Sequence, residues 1–167
     1  IWTASAWFKR SVLGQSASIY CSSKSDTTAN FRCLFFNADD RVQCAMYDGG
    51  YTFQVETSAL FRDQSAWLHI VTAVDTTQST EANRVKIYIN GVRETVFDGS
   101  PTYPSSSQNI NFGRGSSSYP INIGRPNDTA EYFDGSMSHF HRVDNQALAQ
   151  TVFGEYDANG VWKINTS

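Results

Sequence analysis

The sequence is short of charge, and the charge it has is scattered. Lys and Arg number 13, Asp and Glu 16, and together they make 17% of 167 residues. No Lys/Arg run occurs, so the electrostatic footprint of a nucleic-acid binder is missing and nucleic acid is not an expected partner. No apolar run approaches the ~18 residues of a helical span, so membrane insertion is not expected either. The chain opens on Ile1-Trp2-Thr3, without an initiator Met or a charged-then-apolar leader, and reads as a segment of something longer. No Gly-x-Ser-x-Gly elbow is present, which argues against a serine nucleophile of that type.

Cysteine is scarce and odd in number: Cys21, Cys33 and Cys44. An odd count argues against a fully paired secreted framework. Buried thiols, packing as small hydrophobes, are one reading. A bond is the other. The stretch NFRCLFFNADDRVQCAMY reads as a hairpin about Ala38-Asp39, with Phe35 facing Val42, Cys33 facing Cys44 and Phe31 facing Met46. Opposed Cβ atoms lie about 4.5–5.5 Å apart, near disulfide range. Three histidines are equally few. His139 and His141 share a strand face at i, i+2, but a zinc site needs three or four ligands, and His69 is distant in sequence.

What the sequence does have is alternation. Ala4, Ala6 and Phe8 interleave with Ser5, Trp7 and Lys9; Val85, Ile87 and Ile89 interleave with Lys86, Tyr88 and Asn90; Ile121 and Ile123 flank Asn122. These are half-buried strands. Turn signals separate them, the strongest being Asn90-Gly91, which suits a type I′ hairpin between Ile87-Tyr88-Ile89 and Val92-Arg93-Glu94. About twelve strands at this spacing predict an all-β, two-sheet antiparallel sandwich. One helical signal stands out, Asp144 to Gln150, capped by Asp144 or Asn145. At 167 residues with 40% hydrophobic content, one domain over 1–167 is expected. Expected core residues are Trp7, Phe8, Phe35, Trp67, Ile70, Val74, Val85, Ile87, Ile89, Ile123 and Phe140.

Four stretches, in order, carry a resemblance: AWFKR; WLHIVTAVD followed by RVKIYINGV; INIGRP; and FDGSMSHFHRVDNQAL. Together they resemble the jelly-roll sandwiches of the concanavalin A-like lectin/glucanase (laminin-G-like) family. FRDQSAWLHIVTAVDTTQSTEANRVKIYINGV and FGEYDANGVWK are similar to domains recurring in phage tail fibres and other virion appendages. The resemblance implies a non-enzymatic module displayed on a virus particle, virion or extracellular in location. Its partners would be other virion subunits, as a homo-oligomer, and a host-surface glycan. A lectin-like module of a secreted or cell-surface protein is the alternative. The resemblance also implies that Phe140 faces inward and both histidines outward. The family's glucanases use a Glu-x-Asp-x-x-Glu pattern, which this chain lacks; Glu131 and Asp134 have the wrong spacing, which disfavours a glycoside hydrolase. Laminin-G-like domains often bind one Ca²⁺, for which Asn127 and Asp128 are the candidates among loop residues that include Asp48, Asp75 and Asp134.

Glycan sites use aromatic faces beside amides and carboxylates. Residues in that pattern are Tyr103 and Tyr119 in the long Ser/Pro/Gly-rich loop, then Asn127, Asp128 and Tyr132, with Asp48 and Tyr51 at another rim. Tyr in polar loops serves protein contacts equally well, so structural contact and glycan attachment both stay open.

Overall fold

A computed structural model describes residues 1–23, 29–110, 120–125 and 130–166. Its strands are β1 (Trp2–Arg10), β2 (Ala17–Ser23), β3 (Ala29–Phe36), β4 (Val42–Asp48), β5 (Tyr51–Glu56) and β6 (Leu68–Val74). They continue with β7 (Val85–Ile89), β8 (Val92–Arg93), β9 (Ile121–Ile123), β10 (Gly135–Asp144), β11 (Gly154–Tyr156) and β12 (Trp162–Ile164). Sheet A has the order β10-β1-β6-β7-β8 and sheet B the order β5-β4-β3-β2-β9. This is the expected antiparallel jelly-roll sandwich. The turn between β7 and β8 has positive φ at both Asn90 (47°) and Gly91 (83°), as a type I′ hairpin requires.

Alternation places Ala4, Ala6 and Phe8 of β1 against Phe31, Cys33, Cys44, Phe53 and Val55 of sheet B, all within one core. The small alanines make room for aromatic rings from the facing sheet. Phe8 meets Phe36 edge-on at 5.6 Å and Phe133 at 6.0 Å, geometry that aromatic quadrupoles favour. Ile70, Val74, Val85, Ile87 and Ile89 complete sheet A's contribution, and Phe140 packs against the core from β10. Trp7 and Phe35 are also buried, but on the outer faces of their sheets.

Several expectations need correction. Trp67 is 44% exposed, because it precedes β6 and stands beyond the surface that covers that sheet. Ile123 is 52% exposed: it pairs beside the buried Tyr20, but on a three-residue edge strand that overhangs the core. All three cysteines are free, buried thiols. Phe31 does oppose Met46, but a bulge between Arg32 and Phe35 puts Phe35 opposite Gln43 and Phe36 opposite Val42. The Cys33 and Cys44 thiols stay in the core, where burial pushes both pKa values up. The expected helix over Asp144 to Gln150 is not formed. β10 runs through Asp144, Asn145 turns with φ 58°, and only Gln150–Val152 makes a 3-10 turn. The hydroxyl of Thr3 explains this: it donates to Gln146 O at 2.7 Å and accepts from Leu148 N at 2.8 Å. Backbone groups satisfied by a neighbouring strand have no need of a helical ladder.

The segment after β10 forms a third layer on the outer face of sheet A. Thr3, Ser5, His69 and Val71 lie on that face, and all four are fully buried. The β11–β12 hairpin presses the Trp162 ring against His69. Trp162 Nε1–H donates to His69 Nδ1 at 2.9 Å, and the two rings stack at 5.9 Å. An indole N–H only donates, so Nδ1 is the unprotonated nitrogen. Nε2–H then donates to Ser5 Oγ at 2.8 Å. Trp7 stacks on the imidazole at 4.6 Å. A Cβ at Gly91 or Gly154 would collide with the Trp162 ring. Both positions therefore need glycine for this close approach, and Gly91 needs it for its φ as well.

One end of the sandwich is closed by charge. Arg10 Nη2, at the end of β1, lies 2.8 Å from Asp40 Oδ1 in the β3–β4 turn, with both side chains buried. Asp40 also accepts from Gly14 N at 2.8 Å and from Arg62 Nε at 2.9 Å. Burial alone would raise the Asp40 pKa. The hydrogen bonds from Gly14, Arg62 and Arg10 outweigh it and hold the carboxyl below its ordinary range.

Two outcomes follow. Burial, with a smaller push from His141, lowers the His69 pKa to about 4. The unfolded imidazole protonates near 6.5, so between these values the unfolded state binds more protons. Stability measured by urea melts should be full above pH 6.5 and fall by up to about 3 kcal/mol towards pH 4. His69→Gln should flatten that part of the profile. Asp40→Asn keeps a residue that tolerates the left-handed backbone here (φ 66°) but strands the buried Arg10 cation. It should cost about 3–5 kcal/mol in the same melts.

Candidate functional site

With the outer face of sheet A roofed by the tail, the outer face of sheet B is the other large sheet surface. Cross-strand partners share a face, so register builds this surface in rows. One row is Ser18, Phe35, Gln43 and Glu56, running from β2 to β5. The next is Asn122, Cys21, Arg32, Ala45 and Gln54. A third joins Tyr47 to Tyr51. The small side chains of Cys21 and Ala45 flank Arg32 and leave room around its guanidinium.

Arg32 lies over the Phe35 ring at 4.1 Å, and its Nη2 is 3.0 Å from Glu131 Oε1. Both partners remain about one-fifth exposed, at 21% and 20%. Glu56 accepts from Asn37 Nδ2 at 2.9 Å and from Gln43 Nε2 at 2.6 Å. Gln43 Oε1 and Ser18 Oγ are buried without a hydrogen-bond partner among the described residues. Such orphaned atoms cost stability, and a ligand or water that pairs with them recovers it. Tyr47 and Tyr51 meet edge-on at 5.4 Å, with the Tyr51 side chain largely exposed. The face thus offers a charged donor, carboxylate and amide acceptors, and an aromatic pair at the β4–β5 end. A polyhydroxylated ligand, each hydroxyl both donor and acceptor, uses all of these groups.

The anticipated loop residues are spread around this face. Tyr132 is exposed on the segment that bridges to Ser18 of β2. Tyr103 follows Thr102, which bridges to Gln54 of β5, and its ring packs against the core; burial raises its phenol pKa. Bridged to the far sides of β2 and β5 respectively, the two tyrosine segments stand five strand spacings apart, roughly 24 Å at ~4.8 Å per strand. The structure does not bring them together. Tyr119, Asn127 and Asp128 lie outside the described residues. Tyr51, noted in the sequence as a rim residue, does join the sheet B face. Arg32, Gln43, Gln54 and Glu56 went unrecognised. Their signal is polar residues at the outward positions of FRCLFF, QCAMYD and TFQVE, which gains meaning only once the strands are put in register.

Other candidate chemistry finds no assembly. His139 and His141 point outward, and His139, with φ 47°, sits in a bulge opposite Ala6. Among the described residues no group of three or more His, Cys, Asp or Glu could hold a metal. The Asp75 carboxylate is taken up by Thr77 and Gln78. The calcium candidates Asn127 and Asp128 lie outside the described residues. Glu131 is tied to Arg32, and Glu56 accepts from the amides of Asn37 and Gln43.

The model for the concanavalin A-like lectin/glucanases superfamily matches residues 1–152. The chain belongs to that superfamily. No curated protein matches the sequence. Among solved structures, the fold is similar to the CBM40 domain of the Ruminococcus gnavus IT-sialidase. The TM-score is 0.63 at 13% identity, over 90% of this chain and 79% of that one. It is also similar to the NanB sialidase of Streptococcus pneumoniae, with TM-score 0.63 at 16% identity, over 90% of this chain and 23% of that one. Domain 4 of AbnA, an extracellular arabinanase from Geobacillus stearothermophilus, gives 0.55 at 15% identity, over 85% of this chain and 59% of that one. At such identities the likeness concerns fold alone. The β11–β12 hairpin lies beyond the residues that match the superfamily.

Proposed function

We propose that this domain is a non-enzymatic glycan-binding module that receives its ligand on the outer face of sheet B. The observation that carries the reading is the in-register meeting of Arg32, Gln43, Gln54 and Glu56 beside Tyr47 and Tyr51, with two buried polar atoms that have no partner among the described residues. Two similar structures support it. The CBM40 domain has been solved bound to α2,3- and α2,6-sialyllactose, and the AbnA domain in complex with arabinotriose. Glu131 positions Arg32 from one side, and Phe35 fixes the plane of the guanidinium from below. Tyr132, on the Glu131 segment, and the sequence around Tyr119, Asn127 and Asp128 would extend contacts beyond the sheet.

An extracellular setting follows from this reading, since that is where surface glycans are met. Display on a virus particle, as a homo-oligomer among other virion subunits, rests on the sequence resemblance alone. It would turn the same face towards a host glycan.

The test is a glycan array probed with this domain, with and without Ca²⁺, followed by calorimetry on any glycan retained. Arg32→Ala should weaken binding by about 1.5–3 kcal/mol, the worth of a charge-assisted hydrogen bond, while melting confirms a folded variant. An array without a retained glycan, or Arg32→Ala binding at full strength, would count against the sheet B face.

A further inference from the structure

A second cleft lies where the two sheets are sewn together. Residues 94–103 leave β8 at the edge of sheet A and reach the β5 edge of sheet B, making bridges from Phe97 to Thr57 and from Thr102 to Gln54. Between them is a cleft of about 410 Å³ lined by Arg93, Glu94, Val96, Phe97, Pro101 and Tyr103. That volume falls within the ~300–1,000 Å³ usual for small-ligand sites.

Its polar groups are arranged and uncommitted. Glu94 is held by its backbone, N–H donating to Ile87 O at 2.8 Å, while its partly buried carboxylate has no hydrogen bond or ion pair among the described residues. Desolvation raises its pKa, the mark of an acceptor with nothing to accept from. Arg93 Nη2 is anchored on Ala82 O at 2.9 Å and Asn83 Oδ1 at 3.0 Å. That anchorage orients the guanidinium and leaves its other N–H donors without a partner among the described residues. Phe97 and Tyr103 supply aromatic surface from rings fixed against the core, and Val96, 64% exposed, stands at the mouth.

We propose that this seam is a second ligand site, distinct from the sheet B face, taking a single neutral sugar ring through adjacent hydroxyls. Arg93 repels an ammonium group, and Glu94 repels a carboxylate or phosphate. Hydroxyls suit both, because each donates to the carboxylate and accepts from the guanidinium. The C–H face of a sugar ring then covers the aromatic surface. The inference stands on the geometry of the seam and holds whether or not the sheet B face binds glycan.

Ligand-observed NMR titration of this domain tests it, with the methyl glycosides of galactose, glucose and mannose as probes and methylammonium chloride as the cationic control. At least one sugar should bind with a Kd in the mM range, about −4 kcal/mol. Glu94→Gln, which removes a charge that no protein group pairs with, should weaken it about tenfold. Val96→Trp, which fills the mouth without touching the core, should abolish it, and Arg32→Ala should leave it unchanged. The proposal is overturned by failure of all three sugars up to about 50 mM, by a sugar Kd unmoved in Glu94→Gln and Val96→Trp, or by methylammonium binding in preference to every sugar, which would assign the seam to a basic peptide partner.

Discussion

A sheet has two faces and a sandwich buries only one of each; the contact between Trp162 and His69 settles what happens to another. By donating to Nδ1 while Ser5 receives the Nε2 proton, this contact satisfies a fully buried imidazole in its neutral form. In doing so it fastens the C-terminal hairpin over Ser5, Val71 and Trp7. The cradle is built for the indole, since glycine at 91 and 154 is what lets the ring approach the backbone. Removing the ring would leave a buried polar nitrogen without a donor and a broad sheet face uncovered. The hairpin lies outside the residues that match the superfamily.

Once sheet A is roofed, polar chemistry concentrates on sheet B. There, register decides which side chains meet. The bulge between Arg32 and Phe35 turns Phe35 outward beneath Arg32 and brings Gln43 into line with Ser18 and Glu56. The inner side of the same strands carries Phe31, Cys33 and Cys44 into the core. A slip of one residue would exchange these two sets and lose both core and site. The Arg10–Asp40 pair guards against such a slip at one end, because it ties the end of β1 to the β3–β4 turn across the two sheets.

Period-two patterning made most of the fold legible. Ala4/Ala6/Phe8 and Val85/Ile87/Ile89 alternate cleanly, and Asn90-Gly91 names its own turn. The errors fell where tertiary contacts override local preference. Thr3 draws residues 146–148 out of a helix that their own sequence favours. Trp67 and Ile123 read as core from hydrophobicity, yet stand at a strand start and on an edge strand, which a one-dimensional pattern does not mark. The site was less legible. Tyrosines in loops attracted attention because their chemistry is evident in isolation. Arg32, Gln43 and Glu56 look like ordinary outward strand residues until three separate strands are aligned. Glu94 was hidden for a similar reason: its lack of a partner is a property of space, not of sequence.

The most direct check of the glycan-binding account is a map of where a bound glycan touches the domain. Backbone amide shifts recorded during titration with an array-positive oligosaccharide would supply it. The account predicts saturable changes at Arg32, Gln43, Ala45 and Gln54 on β3, β4 and β5. Changes confined to the outer face of sheet A or to residues 94–103, with those four amides unmoved, would contradict it.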